Sequence, residues 1–337
     1  MKDVMLQQQL KGKIQRFFEP QLPAVACEIS RQAVSLVRVD SKRSKLIDRF
    51  AVIPLPQGLI VPALTKPNIA SVPEFAAVLK TAIAKAEVKS VKVSLAIPDA
   101  SAKSAIHIMD TLPSSENDRQ QLLKWKLKKA VPFNVEEAHL SYWERKTSNG
   151  KHVLLTVCIC REVLNQFEEV FQKMGIQVGY ITLSSFAAFE FLAQLDPEAV
   201  QKSVLLLRIG TTDTSSLIMQ EGRVSFFRHS ERNGDEELAT ARTAPKPTPM
   251  LYQEIYDELY PCVIYYQDKL SSQSLTKIYV ACHQEVPVTV LSTLSETFQT
   301  PVESLDLMKL VHSPQHAELK SLRHQVLSAL GLALGRN

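Results

Sequence analysis

No apolar run in the sequence approaches the ~20 residues that a membrane-spanning helix needs, and the start lacks the apolar core of a secretory signal. The expected location is therefore the cytoplasm. Cysteine is sparse, with five in 337 residues. Cys27, Cys158, Cys160, Cys262 and Cys282 form no CxxC pair, so free thiols in a reducing compartment fit them better than disulfides or a metal site. Neither sign of charge dominates: the net charge is +4, and that balance gives no reason to invoke nucleic acid. Ready-made catalytic motifs are missing too, with no HxH, HExxH, GxSxG or Walker-type phosphate loop. His107, His139 and His152 fall in or beside predicted strands, where surface or satisfied histidines are the plain reading and a meeting across the sheet is the alternative.

What is present is a soluble globular composition, 45% apolar and 22% charged, of a length that suggests about two domains. The most informative stretch runs from Ser203 to His229. An apolar strand, Val204 to Leu207, reaches a tight turn at Gly210, Thr211 and Thr212; a second strand, Ser215 to Met219, follows; Glu221-Gly222 then turns into a third. The same plan occurs near the start, as Ala24 to Ile29, a polar turn at Ser30-Arg31-Gln32, Val34 to Val39, a basic turn at Asp40 to Lys45, and Leu46 to Ile53. One strand-turn-strand unit thus opens each half, at about residues 24–200 and 201–337.

Duplicated units of this kind resemble the actin-like (ribonuclease H-like) nucleotide-binding folds of the α/β class, in which two hairpin turns face each other across a cleft and present backbone amides to phosphates. Two further stretches narrow the resemblance. Lys128 to Glu137 (KKAVPFNVEE) with Tyr142, and the terminal Ala329 to Leu334 (ALGLAL), are similar to PilM, the cytoplasmic actin-like protein of type IV pilus assembly. The resemblance implies residual phosphate turns at Ser30, Gln32, Gly210, Thr211 and Thr212. It also implies an inserted α+β subdomain, as in FtsA, whose groove receives the N-terminal cytoplasmic peptide of a PilN-like inner-membrane protein.

The insert is expected at about 104–183, in the order strand, helix (Ser115 to Val131), two strands paired through Asn149-Gly150, helix, strand. Pro132 and Phe133 stop its first helix and are the candidate partner-binding residues, with plugging of the subdomain's own core as the plainer role for Phe133. Lys124, Lys126, Lys128 and Lys129 surround Trp125, a pattern shared by lipid- or nucleic-acid-binding helices and by any solvated helix face. Residues 1–23 read as a short, mildly basic amphipathic helix and linker, which packs on its own domain or docks on a membrane or partner. Ser230 to Pro249, rich in charge, threonine and proline, reads as a mobile loop that replaces the subdomain roofing the nucleotide in the family.

At the cleft the sequence departs from the family pattern. Where PilM-like proteins end the first strand in Asp-Ile-Gly, with a carboxylate that organises magnesium-bound water, this chain has Glu28-Ile29-Ser30, followed by Arg31. The aspartate of the second hairpin is replaced by Arg208, and the Gly-Gly bounding the adenosine pocket by Cys282-His283. Asp213 is expected to cap its turn, with a place beside phosphate as the alternative. A cation where a magnesium-ordering carboxylate belongs repels the ion, so the expected protein is a non-enzymatic pilus scaffold without magnesium-ATP. The alternatives are an ATP-binding switch or weak ATPase, and a scaffold like the cytoplasmic part of GspL of type II secretion.

Overall fold

The computed structural model describes residues 22–40, 46–147, 150–231, 246–270 and 274–335. The expected N-terminal helix lies outside these residues, as does most of the expected 230–250 loop, whose ends are taken by a strand that runs to Glu231 and a helix that begins at Thr248.

The chain begins with β1 (Val25–Ile29), β2 (Ala33–Val39) and β3 (Ile47–Pro54), followed by α1 (Val72–Lys85) and β4 (Lys92–Ile97). Next come β5 (Lys103–Met109), α2 (Glu116–Leu127), β6 (His139–Lys146) and β7 (His152–Ile159). The first half closes with α3 (Arg161–Gln172), β8 (Gln177–Leu183), α4 (Ser184–Leu195) and the short α5 (Pro197–Gln201). The second half holds β9 (Ser203–Ile209), β10 (Asp213–Gln220), β11 (Arg223–Glu231), α6 (Thr248–Tyr265), β12 (Lys277–Cys282), α7 (Val288–Phe298), β13 (Val302–Ser304) and α8 (His316–Leu334).

Two five-stranded sheets repeat one plan. Their orders are β3-β2-β1-β4-β8 and β11-β10-β9-β12-β13, each an antiparallel meander followed by two parallel strands. β1 and β9 are the central strands, covered on both faces, and so read as continuous apolar runs instead of alternating ones. Each carries one charged residue at its penultimate position, Glu28 and Arg208. The β10–β11 turn is tight because Glu221 and Gly222 both adopt positive φ, 53° and 74°.

One core joins the halves. Val37 and Phe50 of the first sheet, Val204 and Leu206 of the second, and Phe191 of α4 and Leu330 of α8 belong to a single buried cluster. The two helices touch at Gly331, where a Cβ would lie 1.9 Å from the carbonyl oxygen of Ala187. Glycine is required there for close approach, as its φ is ordinary.

The insert is smaller than the sequence suggests. β5, β7 and β6 form their own three-stranded sheet, but β8 pairs in parallel with β4, and Val163, Phe167 and Phe171 of α3 pack into the first half's core. A strand's periodicity does not say which sheet it joins, so α3 and β8 looked like part of the subdomain. Its helix also ends earlier, at Leu127, and is followed by a turn in which the amides of Ala130 and Val131 both reach the Leu127 carbonyl. The three strand histidines do not meet: His107 bonds Thr156, His139 bonds Ser141, and His152 bonds Glu144.

Candidate functional site

The turns after β1 and β9 face each other across a cleft of about 380 Å³. Ser30 and Gln32 line one side and Gly210, Thr211 and Thr212 the other, so the structure brings all five expected phosphate-turn residues together. Cys282 and His283, at the end of β12, form part of the wall, with His324 and Gln325 of α8.

Both turns are occupied by their own side chains. The Ser30 hydroxyl accepts from the amides of Gln32 (3.3 Å) and Ala33 (3.1 Å), the donors that an anion at this turn would use. In the second turn the Gly210 amide donates to the Asp213 carbonyl at 2.8 Å. The Asp213 carboxylate folds over Gly210 so closely that a Cβ there would stand 2.3 Å from Oδ1.

Between the turns lies an arginine hub. Arg208 Nη2 donates to Glu28 Oε1 at 3.2 Å, and Nη1 stands 3.5 Å from Asp99 Oδ2 and 3.6 Å from Asp213 Oδ2. Glu28 and Asp99 are buried. Burial works against the Arg208 charge, but Asp213, Glu28 and Asp99 outweigh it and hold the pKa above its ordinary value. Burial also dominates at Glu28 and raises its carboxyl pKa, against the downward pull of Arg208. Asp99 is anchored from three directions: the Ser185 amide (3.2 Å), the Ser185 hydroxyl (2.6 Å) and the Ser215 hydroxyl (3.2 Å). The Ser215 hydroxyl also meets His229 Nδ1 at 3.0 Å. Asp99, Asp213 and His229 bring potential metal-ligand atoms within 4.8 Å of one another. The cation both carboxylates contact is Arg208. At the rim, Arg31 of the first turn pairs with Glu231 at the end of β11.

Sequence reasoning singled out Glu28 and Arg208 separately, as departures from the family pattern, but missed their pairing and the places of Asp99, Ser185, Ser215, His229 and Glu231. Asp99 had one available signal, its place at the carboxyl end of β4, where open α/β sheets bind ligands. The serines had none.

A second concavity, a groove of about 330 Å³, lies between the insert and β8. Trp143 and Val157 form one wall and Tyr180, Ile181 and Phe186 the other. β8 is the last strand of its sheet, and an edge strand offers unpaired backbone to an extended peptide. Trp143, Phe186 and Phe227 stand in a row with centroid separations of 6.0 and 4.9 Å. Phe186 directly follows Ser185, so the groove and the Asp99 anchor share the start of α4. Pro132 and Phe133 are not among the groove's lining residues. Pro132 is exposed and Phe133 packs on the insert's small core with Leu127, Val131 and Ala138.

The family model of the type IV pilus assembly protein PilM matches residues 26–240, well over half of the chain. The chain belongs to the PilM family. Among solved structures, this PilM-family chain is similar to that of the PilM-PilN type IV pilus biogenesis complex, with a TM-score of 0.76 and 19% identity over 94% of this chain and 100% of that one. It is also similar to the ethanolamine utilization protein EutJ from Carboxydothermus hydrogenoformans, with a TM-score of 0.50 and 10% identity over 94% and 91%. The likeness to the cytoplasmic domain of EpsL, an inner membrane component of the type II secretion system of Vibrio cholerae, is looser: TM-score 0.48 and 11% identity over 85% and 91%. No curated protein matches the chain in sequence. The fold is the α/β actin-like fold, with an α+β insert in its first half. No helix among the described residues is long and apolar enough to cross a membrane.

Proposed function

We propose that this PilM-family chain acts in pilus assembly as a docking scaffold that works without nucleotide, at the cytoplasmic face of the inner membrane. Its partner is the cytoplasmic N-terminal peptide of a PilN-like inner-membrane protein, taken as an extended segment along the groove between the insert and the β8 edge. The observation that supports the reading is the Arg208 hub, a guanidinium 3.2 to 3.6 Å from Glu28, Asp99 and Asp213; in the proposed scaffold it takes the place of a phosphate-bound magnesium. The same cation and carboxylates tie the two halves together, a task that a metal-nucleotide performs where the cleft binds one. The residues present do not fit magnesium-ATP, because Ser30 and Asp213 occupy the turns and Cys282 and His283 stand in the adenosine position.

A fluorescently labelled peptide copying the cytoplasmic start of a PilN-like protein tests this. Binding of equal affinity with and without magnesium-ATP supports the scaffold. Binding that needs ATP, or that ATP strengthens tenfold, supports a nucleotide switch and overturns the proposal.

A further inference from the structure

The groove and the cleft leave one feature of the insert unused, the outer face of α2. Leu123 and Leu127 turn inward and are fully buried. On the opposite side Trp125 is 70% exposed, an unusual position for a large aromatic residue. Gln121, one turn earlier on the helix, is exposed with it, and Lys128 and Lys129 are exposed in the turn that directly follows Leu127. Lys126 is half-buried at the edge of this face.

Charge on the patch is unbalanced. The nearby carboxylates are engaged elsewhere: Glu136 pairs with Lys124 at 3.3 Å, and Glu137 accepts from Asn134 at 2.8 Å. Lys126, Lys128 and Lys129 have no ion-pair partner among the described residues. Lysines at a helix C-terminus do complement the helix dipole, and that accounts for their position. It does not account for Trp125, which neither caps the helix nor fills the core. A tryptophan standing out from a ring of free lysines has the chemistry of a bilayer interface, where the indole sits among headgroups and the ammonium groups meet anionic lipid.

We propose that Trp125, Lys126, Lys128 and Lys129 form a docking surface for an anionic lipid bilayer. The surface lies across the small sheet from the groove, because α2 covers the Tyr142 and Glu144 face of β6 whereas Ser141 and Trp143 line the groove. A peptide in the groove and a bilayer on α2 can therefore be engaged together. The inference is independent of whether the cleft binds nucleotide.

The test is co-sedimentation of the full chain with vesicles of phosphatidylcholine alone and of phosphatidylcholine with about one third phosphatidylglycerol. The expected result is binding to the anionic vesicles only, reversed by about 0.5 M salt. K128E/K129E and W125S should each lower the bound fraction at least about tenfold without changing the melting temperature, as these side chains are exposed. With Trp143→Phe, Trp125 becomes the only tryptophan, and its emission should shift to the blue on binding. Equal binding to neutral vesicles, or anionic binding that survives the triple variant W125S/K128E/K129E, would overturn the proposal. So would binding of single-stranded DNA that displaces the vesicles, which would assign the patch to nucleic acid.

Discussion

Glu28 and Arg208 occupy the same place in two copies of one unit, the penultimate position of a central strand, and they bind each other across the cleft at 3.2 Å. The duplication thus presents two equivalent positions to a shared space, and here they hold opposite charges. Breaking a buried pair from one side leaves an uncompensated charge, whereas removing both partners is far milder. Arg208→Met should lose about 3 kcal/mol of unfolding free energy, and the double variant Glu28→Leu/Arg208→Met should recover only part of it, because Asp99 and Asp213 still lose their cation. Urea unfolding of the two variants and the parent measures the difference.

Replacing the cation by a carboxylate inverts the electrostatics of the hub. Arg208→Asp sets a fourth acid beside Glu28, Asp99 and Asp213, so like charges repel unless a divalent ion enters. The variant should melt well below the parent in EDTA and regain stability in millimolar magnesium. The parent should be indifferent to both.

His324 lines the cleft with its Nε2 buried and unbonded. Burial, with the nearby Arg323 and His283 adding to it, pushes its pKa down to about 4 from the ordinary 6.5. The folded pKa lies below the unfolded one, so the unfolded chain takes up a proton first and stability falls as pH drops from about 6.5 toward 4. Glu285 and Asp306 pull the other way but do not reverse the shift. His324→Gln should flatten this loss. Melting temperatures at pH 7 and pH 5 should converge in the variant and diverge in the parent.

At Gly331 an added methyl group meets backbone, which cannot swing aside as a side chain can: the Ala187 carbonyl oxygen at 1.9 Å and the Phe191 amide nitrogen at 2.9 Å. Gly331→Ala should force α4 and α8 apart and cost about 3 kcal/mol. α4 carries Ser185 and Phe186, so peptide binding in the groove should weaken too. Thermal unfolding and the labelled-peptide titration report the two effects separately.

Much of this architecture is written in local chemistry. The hairpins announce themselves through apolar runs broken by turn residues: the expected strands Val204 to Leu207 and Ser215 to Met219 fall inside β9 and β10, Ser203–Ile209 and Asp213–Gln220. The extent of the insert is not written locally, because the partner of β8 is β4, some eighty residues earlier. The hub shows the same contrast. Glu28 and Arg208 stand out as charges in apolar strands, but Asp99 follows a proline at the end of an ordinary strand, and its anchors Ser185 and Ser215 are 86 and 116 residues away. Which serines become buried donors is decided by how the halves close, and no spacing rule encodes that.

Isothermal titration of magnesium-ATP into the purified chain shows whether Arg208 does the work of a metal-nucleotide in holding the halves together. With the hub in that role, no saturable heat is expected at concentrations up to about 1 mM, a bound equivalent to less than about 4 kcal/mol of binding free energy. A saturable isotherm with sub-millimolar affinity, abolished by a bulky substitution at Gly210, would contradict it.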